Sequence, residues 1–136
     1  MPLTRLTRFY LALALAQAVH SMEEMRAQLY QFYDVMAARW PAFPLRNMSA
    51  DTFAINNMLI IAALLALVPF VQARRGWALG CAGIVAVIEV LNGLGHPAIS
   101  LSLGRYMPGT YTAPLLFVLG LLVLRELFRS SSEPAS

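Results

Sequence analysis

The sequence contains no lysine, a single cysteine and little charge of either sign. Charged residues make up 12% of the 136 residues and hydrophobic residues 59%. Soluble domains typically have about 25% charged residues and about 45–50% hydrophobic residues. This deficit of charge indicates that much of the surface faces lipid. The lone cysteine, Cys81, excludes an intrachain disulfide bond. A net charge of +3 from scattered arginines is too small for a nucleic-acid-binding surface, so we expect no nucleic-acid partner.

Four hydrophobic runs occupy residues 9–22, 52–71, 77–95 and 111–128. The middle two have about the 20 residues that a helix needs to cross a bilayer, and the last is long enough if Arg125 extends its charged end to the surface. Helices satisfy their own backbone polar groups in lipid. We therefore predict an all-α membrane protein, a four-transmembrane-helix bundle. Its helices are predicted at about 6–40, 52–72, 76–96 and 110–128, in a single domain over 1–128 that is followed by a disordered polar tail over 129–136.

The first helix is predicted to run past the membrane on the non-cytoplasmic side. Neither proline nor glycine interrupts residues 8–40, and Pro41 and Pro44 end the pattern. Apolar residues recur at helical spacing beyond Met22. This segment is therefore predicted to be an amphipathic extension of helix 1 or a second, interfacial helix.

A secretory signal peptide is the alternative interpretation of the N-terminus. Arg5 and Arg8 precede the apolar run, and Ala16 and Ala18 form an A-x-A cleavage pattern. Cleavage would leave the polar residues that follow but remove the helix that positions them, so the processing of the N-terminus stays open at this point.

The placement of arginine predicts the orientation. With four spans, both termini and the turn at 74–75 share one side. That side carries six arginines, Arg5, Arg8, Arg74, Arg75, Arg125 and Arg129, against four on the other side. Because arginine and lysine are enriched in cytoplasmic loops, we predict that both termini are cytoplasmic.

The first polar pattern lies where the first apolar run ends. His20, Glu23 and Glu24 are spaced i, i+3 and i+4, which places His20 beside both glutamates on one helix face. Taken alone, this triplet is typical of a polar flank at a membrane surface.

The second polar pattern, Glu89, Asn92 and His96, lies in the third run and forms one stripe about two helical turns long. Glu89 follows Trp77 by twelve residues, or roughly 18 Å of helix. An ionisable group at that depth costs at least about 2.5–3.5 kcal/mol and usually has a function. Four spans bring this stripe to the same end of the bundle as the first pattern.

Imidazole and carboxylate ligands in this combination suit zinc, iron or manganese. We predict that His20, Glu24 and His96 bind the ion and that Glu89 is a further or bridging ligand. Glu23 or Glu89 is predicted to act as the general base, which makes these two the candidate catalytic residues. The residues predicted to support the site are Asn92, Asn56 and Tyr106.

Hydrolytic chemistry is favoured over oxidation at a two-metal, carboxylate-bridged site. Because the site lies near the membrane surface, the expected substrate is a lipid or another amphiphile. A metal-free acid–base isomerase and a lipid- or small-molecule-binding or transport module remain as alternatives. Glycines in the third run leave a homodimer open as well.

The motifs HSMEE, NGLGH and YMPGTYT, in this order, resemble the HXXEE family of small bacterial membrane proteins. The similarity extends from about residue 20 to about residue 121. It rests on His20, Glu23, Glu24, Asn92, His96, Tyr106, Pro108 and Gly109. The resemblance implies an integral protein of the bacterial inner (cytoplasmic) membrane that is suspected to be an enzyme, and it implies no particular substrate.

Overall fold

The computed structural model describes residues 2–131, which form five helices and no strand. The helices are α1 (Arg5–Arg26), α2 (Leu29–Arg39), α3 (Ala50–Gln72), α4 (Gly76–Leu103) and α5 (Ala113–Ser131). The predicted all-α class is confirmed for these residues. Helix α5 extends into the predicted disordered tail, of which residues 132–136 lie outside the described residues.

Two helices take the place of the single helix predicted over 6–40, so the separate second helix is the alternative that the structure adopts. Helix α1 ends at Arg26, and α2 begins after Gln28, whose backbone is left-handed with a φ of +58°. The break frees α2 to pack its Leu29 and Met36 against Phe53 of α3. No proline or glycine lies at this position. The break therefore arises from tertiary packing rather than from a local helix breaker.

Helix α4 runs past its predicted end at residue 96 and contains Pro97. Proline lacks an N–H donor and usually ends a helix. Here the additional turns are held by packing, since Ile99 contacts the buried cluster formed by Leu29, Met36, Phe53 and Met107. The helix ends where Gly104 adopts a φ of +61°.

Two of the described helices, α3 and α4, are long and apolar enough to cross a membrane. Length and composition alone therefore indicate two spans rather than the four predicted. Helices α1 and α5 are more polar than α3 and α4, because α1 carries five charged residues and α5 carries three. Most of these charged residues lie near the helix ends.

Contacts between helix ends define the arrangement of the bundle. The N–H of Thr4 donates to Oε1 of Gln72 at 3.0 Å, and Arg5 lies 3.4 Å from the carboxylate of Glu126. The start of α1 and the ends of α3 and α5 consequently meet at one end of the bundle. A core runs between the helices and consists of Leu6, Tyr10, Leu13, Ala16, Val71, Ala78, Ala82, Ala86, Leu116 and Val123.

Helices α4 and α5 approach each other closely at two glycines. A Cβ at Gly93 would lie 2.7 Å from the backbone of Phe117, and one at Gly120 would lie 2.8 Å from the carbonyl oxygen of Ala86. Only glycine fits at these positions without moving a helix. The close contact fixes the N-terminus of α5 beside the last turns of α4, where the polar residues gather.

Candidate metal centre

Helices α1 and α4 bring three potential metal ligands together at the end of the bundle opposite the start of α1 and the end of α5. His20 and Glu24 lie one turn apart on α1, and His96 lies on α4. Their ligand atoms lie within 4.8 Å of one another. Oε1 of Glu24 is 3.2 Å from Nε2 of His20 and 3.4 Å from Nε2 of His96. All three residues are buried, with exposed fractions of 0%, 7% and 5% for His20, Glu24 and His96.

The hydrogen bond of His96 fixes its tautomer. Its Nδ1 lies 2.6 Å from the carbonyl oxygen of Pro108. A carbonyl oxygen only accepts, so Nδ1 carries the proton and donates it. In the neutral ring, Nε2 then presents its lone pair to Glu24.

His20 is oriented in the same way through a hydroxyl relay. Its Nδ1 lies 2.7 Å from Oγ1 of Thr112, and that hydroxyl donates its own proton to Oε2 of Glu23 at 2.6 Å. The Thr112 oxygen therefore accepts from Nδ1 of His20. The amide nitrogen of Asn92 lies 3.4 Å from Nε2 of His20.

These orientations bring two imidazole lone pairs and one carboxylate oxygen face to face. Such a group repels itself unless a positive species lies between its members, either a proton or a metal ion. Two ligands about 2.0–2.1 Å from a tetrahedral zinc ion lie about 3.3 Å apart; the two contacts of Glu24 are near this value, at 3.2 and 3.4 Å, and all three ligand atoms lie within 4.8 Å of one another. Two histidines and one glutamate are also a known zinc ligand set that leaves a fourth position open.

Glu23 faces the loop before α5 rather than the three ligand atoms. Its carboxylate accepts five hydrogen bonds within the described chain, two of them from side chains, and the donors are Tyr106 Oη, Gly109 N, Tyr111 N, Thr112 N and Thr112 Oγ1. The carboxylate thus holds the loop that carries the Thr112 and Pro108 partners of the two histidines.

The protonation state of the Glu23 carboxylate follows from its surroundings, which lie beyond the apolar run of α1. Burial alone would raise the pKa of Glu23, but hydrogen bonds from Thr112 and Tyr106 and from backbone amides outweigh it and lower that pKa. Burial, together with the hydrogen bond to Glu23, raises the pKa of Tyr106 to about 12. Glu23 therefore stays ionised and Tyr106 stays a donor near neutral pH.

Gly109 lies between the two imidazole rings. A Cβ on it would approach Cε1 of His96 to 2.6 Å and Cε1 of His20 to 2.8 Å. Its φ of +93° is also one that residues with a side chain rarely adopt. Both facts require glycine, and they explain how a loop can pass directly over the two imidazole rings.

The remaining predicted site residues differ in their placement. Glu89 is buried but is not among the three clustered ligand atoms; its Oε2 lies 3.5 Å from Nδ2 of Asn92. Asn92 therefore connects Glu89 to His20. Asn56 is exposed on α3, and its neighbour Asn57 is the one that turns inward.

Thr112 was not predicted from the sequence. A signal for it was present, because a threonine immediately before an apolar run is typical of a helix N-cap. That pattern would have placed the hydroxyl at the start of α5, at the same end as the histidines.

The fold and site define an all-helical protein with two apolar helices of membrane-spanning length and a buried cluster of two histidines and one glutamate. The chain belongs to the HXXEE family: the family described as a protein of unknown function with HXXEE motif matches residues 11–124. The predicted resemblance is thereby confirmed. No curated protein and no solved structure shows a match to the chain. Within the motif, His20 and Glu24 supply clustered ligand atoms and Glu23 anchors the loop.

Proposed function

We propose that the protein is an integral membrane metalloenzyme that holds one divalent ion with His20, Glu24 and His96. The observation that carries this proposal is the paired orientation of the two imidazoles, each with Nδ1 engaged in the loop and Nε2 directed at Oε1 of Glu24. A chance cluster of polar residues has no reason to set both tautomers in the same sense.

The surface supports insertion of all four long helices. Outward-facing apolar residues occur on α1 and α5 as they do on α3 and α4, for example Leu15, Val19, Met22, Leu115, Val118 and Leu121. The interior instead holds polar side chains, among them Gln17, His20, Glu24, Asn57, Glu89 and His96. An apolar exterior around a partly polar interior suits lipid better than water. On this proposal the apolar run of α1, residues 9–22, lies within the bilayer, and the arginine-rich end with both termini faces the cytoplasm.

The ligand set favours hydrolysis over oxidation, because two histidines and one glutamate hold the zinc ion of known zinc hydrolases and leave a fourth position open. When bound, the ion would supply Lewis acidity toward a carbonyl or phosphoryl oxygen. Because Glu23 is committed to the loop, we assign the role of proton acceptor to Glu89, with Asn92 placing it beside His20.

Purification from membranes with metal analysis tests the proposal. The full chain should resist extraction by alkaline carbonate and, when purified in detergent without chelator, contain about one zinc per chain by mass spectrometry. X-ray absorption spectroscopy of the bound ion should show two imidazole ligands. If the purified protein neither retains nor rebinds zinc, iron or manganese, a proton takes the place of the ion and the metal centre is rejected. Stoichiometric iron would keep the centre but reject hydrolysis.

Replacing Thr112 with valine tests the relay to His20. Valine keeps the shape of threonine but cannot pass a hydrogen bond from His20 to Glu23. We expect the affinity for Zn²⁺, measured by competition with a chromophoric chelator, to fall about 10- to 100-fold. Thr112→Ser keeps the hydroxyl and should restore most of the affinity. If serine and valine lower the affinity equally, packing rather than the hydroxyl is what matters at this position.

A further inference from the structure

A cleft of about 570 Å³ opens on the apolar surface between α3 and α4 and ends against α1. At its rim Ile60, Ile88 and Leu91 are exposed, with exposed fractions of 47%, 54% and 63%. At its inner end Gln17 and Glu89 are buried, at 6% and 4%. The volume lies within the range of about 300–1,000 Å³ that is typical of small-molecule sites. The cleft is thus apolar where it meets the surroundings and polar where it ends.

A one-way chain of hydrogen bonds fixes which end of the Gln17 amide is left without a partner. Nδ2 of Asn57 donates to the carbonyl oxygen of Phe53 at 3.0 Å, which leaves Oδ1 of Asn57 as an acceptor. The hydroxyl of Ser21 donates to that Oδ1 at 2.7 Å. Since the Ser21 proton is used there, its oxygen accepts from Nε2 of Gln17 at 3.3 Å.

Gln17 consequently presents Oε1 as a buried acceptor that receives no hydrogen bond from any residue the structure describes. A buried polar atom without a partner is costly, and native proteins rarely keep one without a reason. Oε1 is itself enclosed, so a ligand that brings a hydrogen-bond donor to the inner end of the cleft would satisfy it once the Gln17 amide turns toward the cleft.

Asn92 joins this cleft to the metal centre. It lines the cleft, and its Nδ2 lies 3.4 Å from Nε2 of His20. A polar group at the inner end of the cleft therefore lies next to a proposed ligand of the ion.

We propose that the cleft binds the substrate as an amphiphile with one apolar chain and a hydroxyl group at its polar end. The chain lies between α3 and α4 and reaches the site from the lipid side. The hydroxyl group of the substrate donates to Oε1 of Gln17. This contact places the bond next to the hydroxyl-bearing carbon beside His20. This inference rests on the proposed function and names the substrate class of that centre.

Photolabelling in lipid nanodiscs tests the cleft with a matched pair of probes. One probe is a long-chain alcohol with a diazirine in its chain, and the other is its methyl ether, which cannot donate a hydrogen bond. The alcohol should label residues of α3 and α4 that line the cleft, and excess unlabelled alcohol should prevent this. The ether and the Gln17→Leu variant should each reduce that competable labelling about 5- to 10-fold, the factor that a single buried hydrogen bond contributes.

Two tryptophan variants provide a test that leaves the hydrogen-bond chain intact. Ile60→Trp fills the rim and should abolish competable labelling, whereas Leu59→Trp, at an exposed position that does not line the cleft, should not. Equal labelling by alcohol and ether, or equal effects of the two tryptophans, would overturn the inference. Zinc is measured on the same samples: zinc-loaded protein without competable labelling rejects the cleft alone, and labelled protein that cannot bind zinc rejects the metal centre alone.

Discussion

His96→Ala is expected to reduce bound zinc from about one ion per chain to less than about a tenth. His96 supplies one of only three clustered ligand atoms in the described chain, and its lone pair is oriented by the Pro108 carbonyl. Loss of an outer hydrogen-bond partner alone typically lowers metal affinity about 10- to 100-fold, so loss of a ligand should lower it by more than about 100-fold. Mass spectrometry of the purified protein and a chelator competition assay measure the two effects.

The same loss should follow from His20→Ala and Glu24→Gln, because each removes one of the remaining ligands. Asn56→Ala is the matched control: Asn56 lies at the same end of the bundle but is exposed, so its replacement should leave zinc content unchanged. Circular dichroism should show that the variants keep their helices. Zinc retained by His20→Ala and His96→Ala together would show that the ion binds elsewhere.

The convergence of His20, Glu24 and His96 could be predicted from the sequence because it depends on two robust features. Helical spacing puts His20 and Glu24 on one face, and successive antiparallel helices return the end of α4 to the end of α1. Neither feature requires knowledge of how the side chains pack. Membership of the HXXEE family could be predicted for a related reason, since the motif that names the family includes His20 and Glu24.

The separate roles of Glu23 and Glu24 could not be predicted in the same way. Both glutamates lie within reach of His20 on a helix, and which one faces His96 depends on the rotation of α1 relative to α4. That rotation is set by packing, as is the inward turn of Asn57 rather than Asn56. The continuation of α4 through Pro97 has the same origin, because contacts of Ile99 offset the lost backbone hydrogen bond.

Gly109→Ala is expected to lower zinc affinity by more than about 100-fold, and Gly104→Ala provides its matched control. Both glycines have positive φ, +93° and +61°, so alanine strains the backbone at either position, at a cost of about 1–3 kcal/mol. They differ in their surroundings. A Cβ at Gly104 meets no described atom within 4 Å, whereas one at Gly109 meets both imidazole rings at under 3 Å.

The comparison therefore separates backbone strain from displacement of the ligands. Gly104→Ala should unfold at a lower temperature yet bind about one zinc, because its strain lies at the end of α4 and away from His96. Gly109→Ala should lose zinc even at temperatures where circular dichroism shows intact helices, since the rings must move apart or rotate to admit the methyl group. Equal zinc affinity in the two variants would mean that the loop can withdraw from the rings without moving the ligands, and that Gly109 serves the backbone alone.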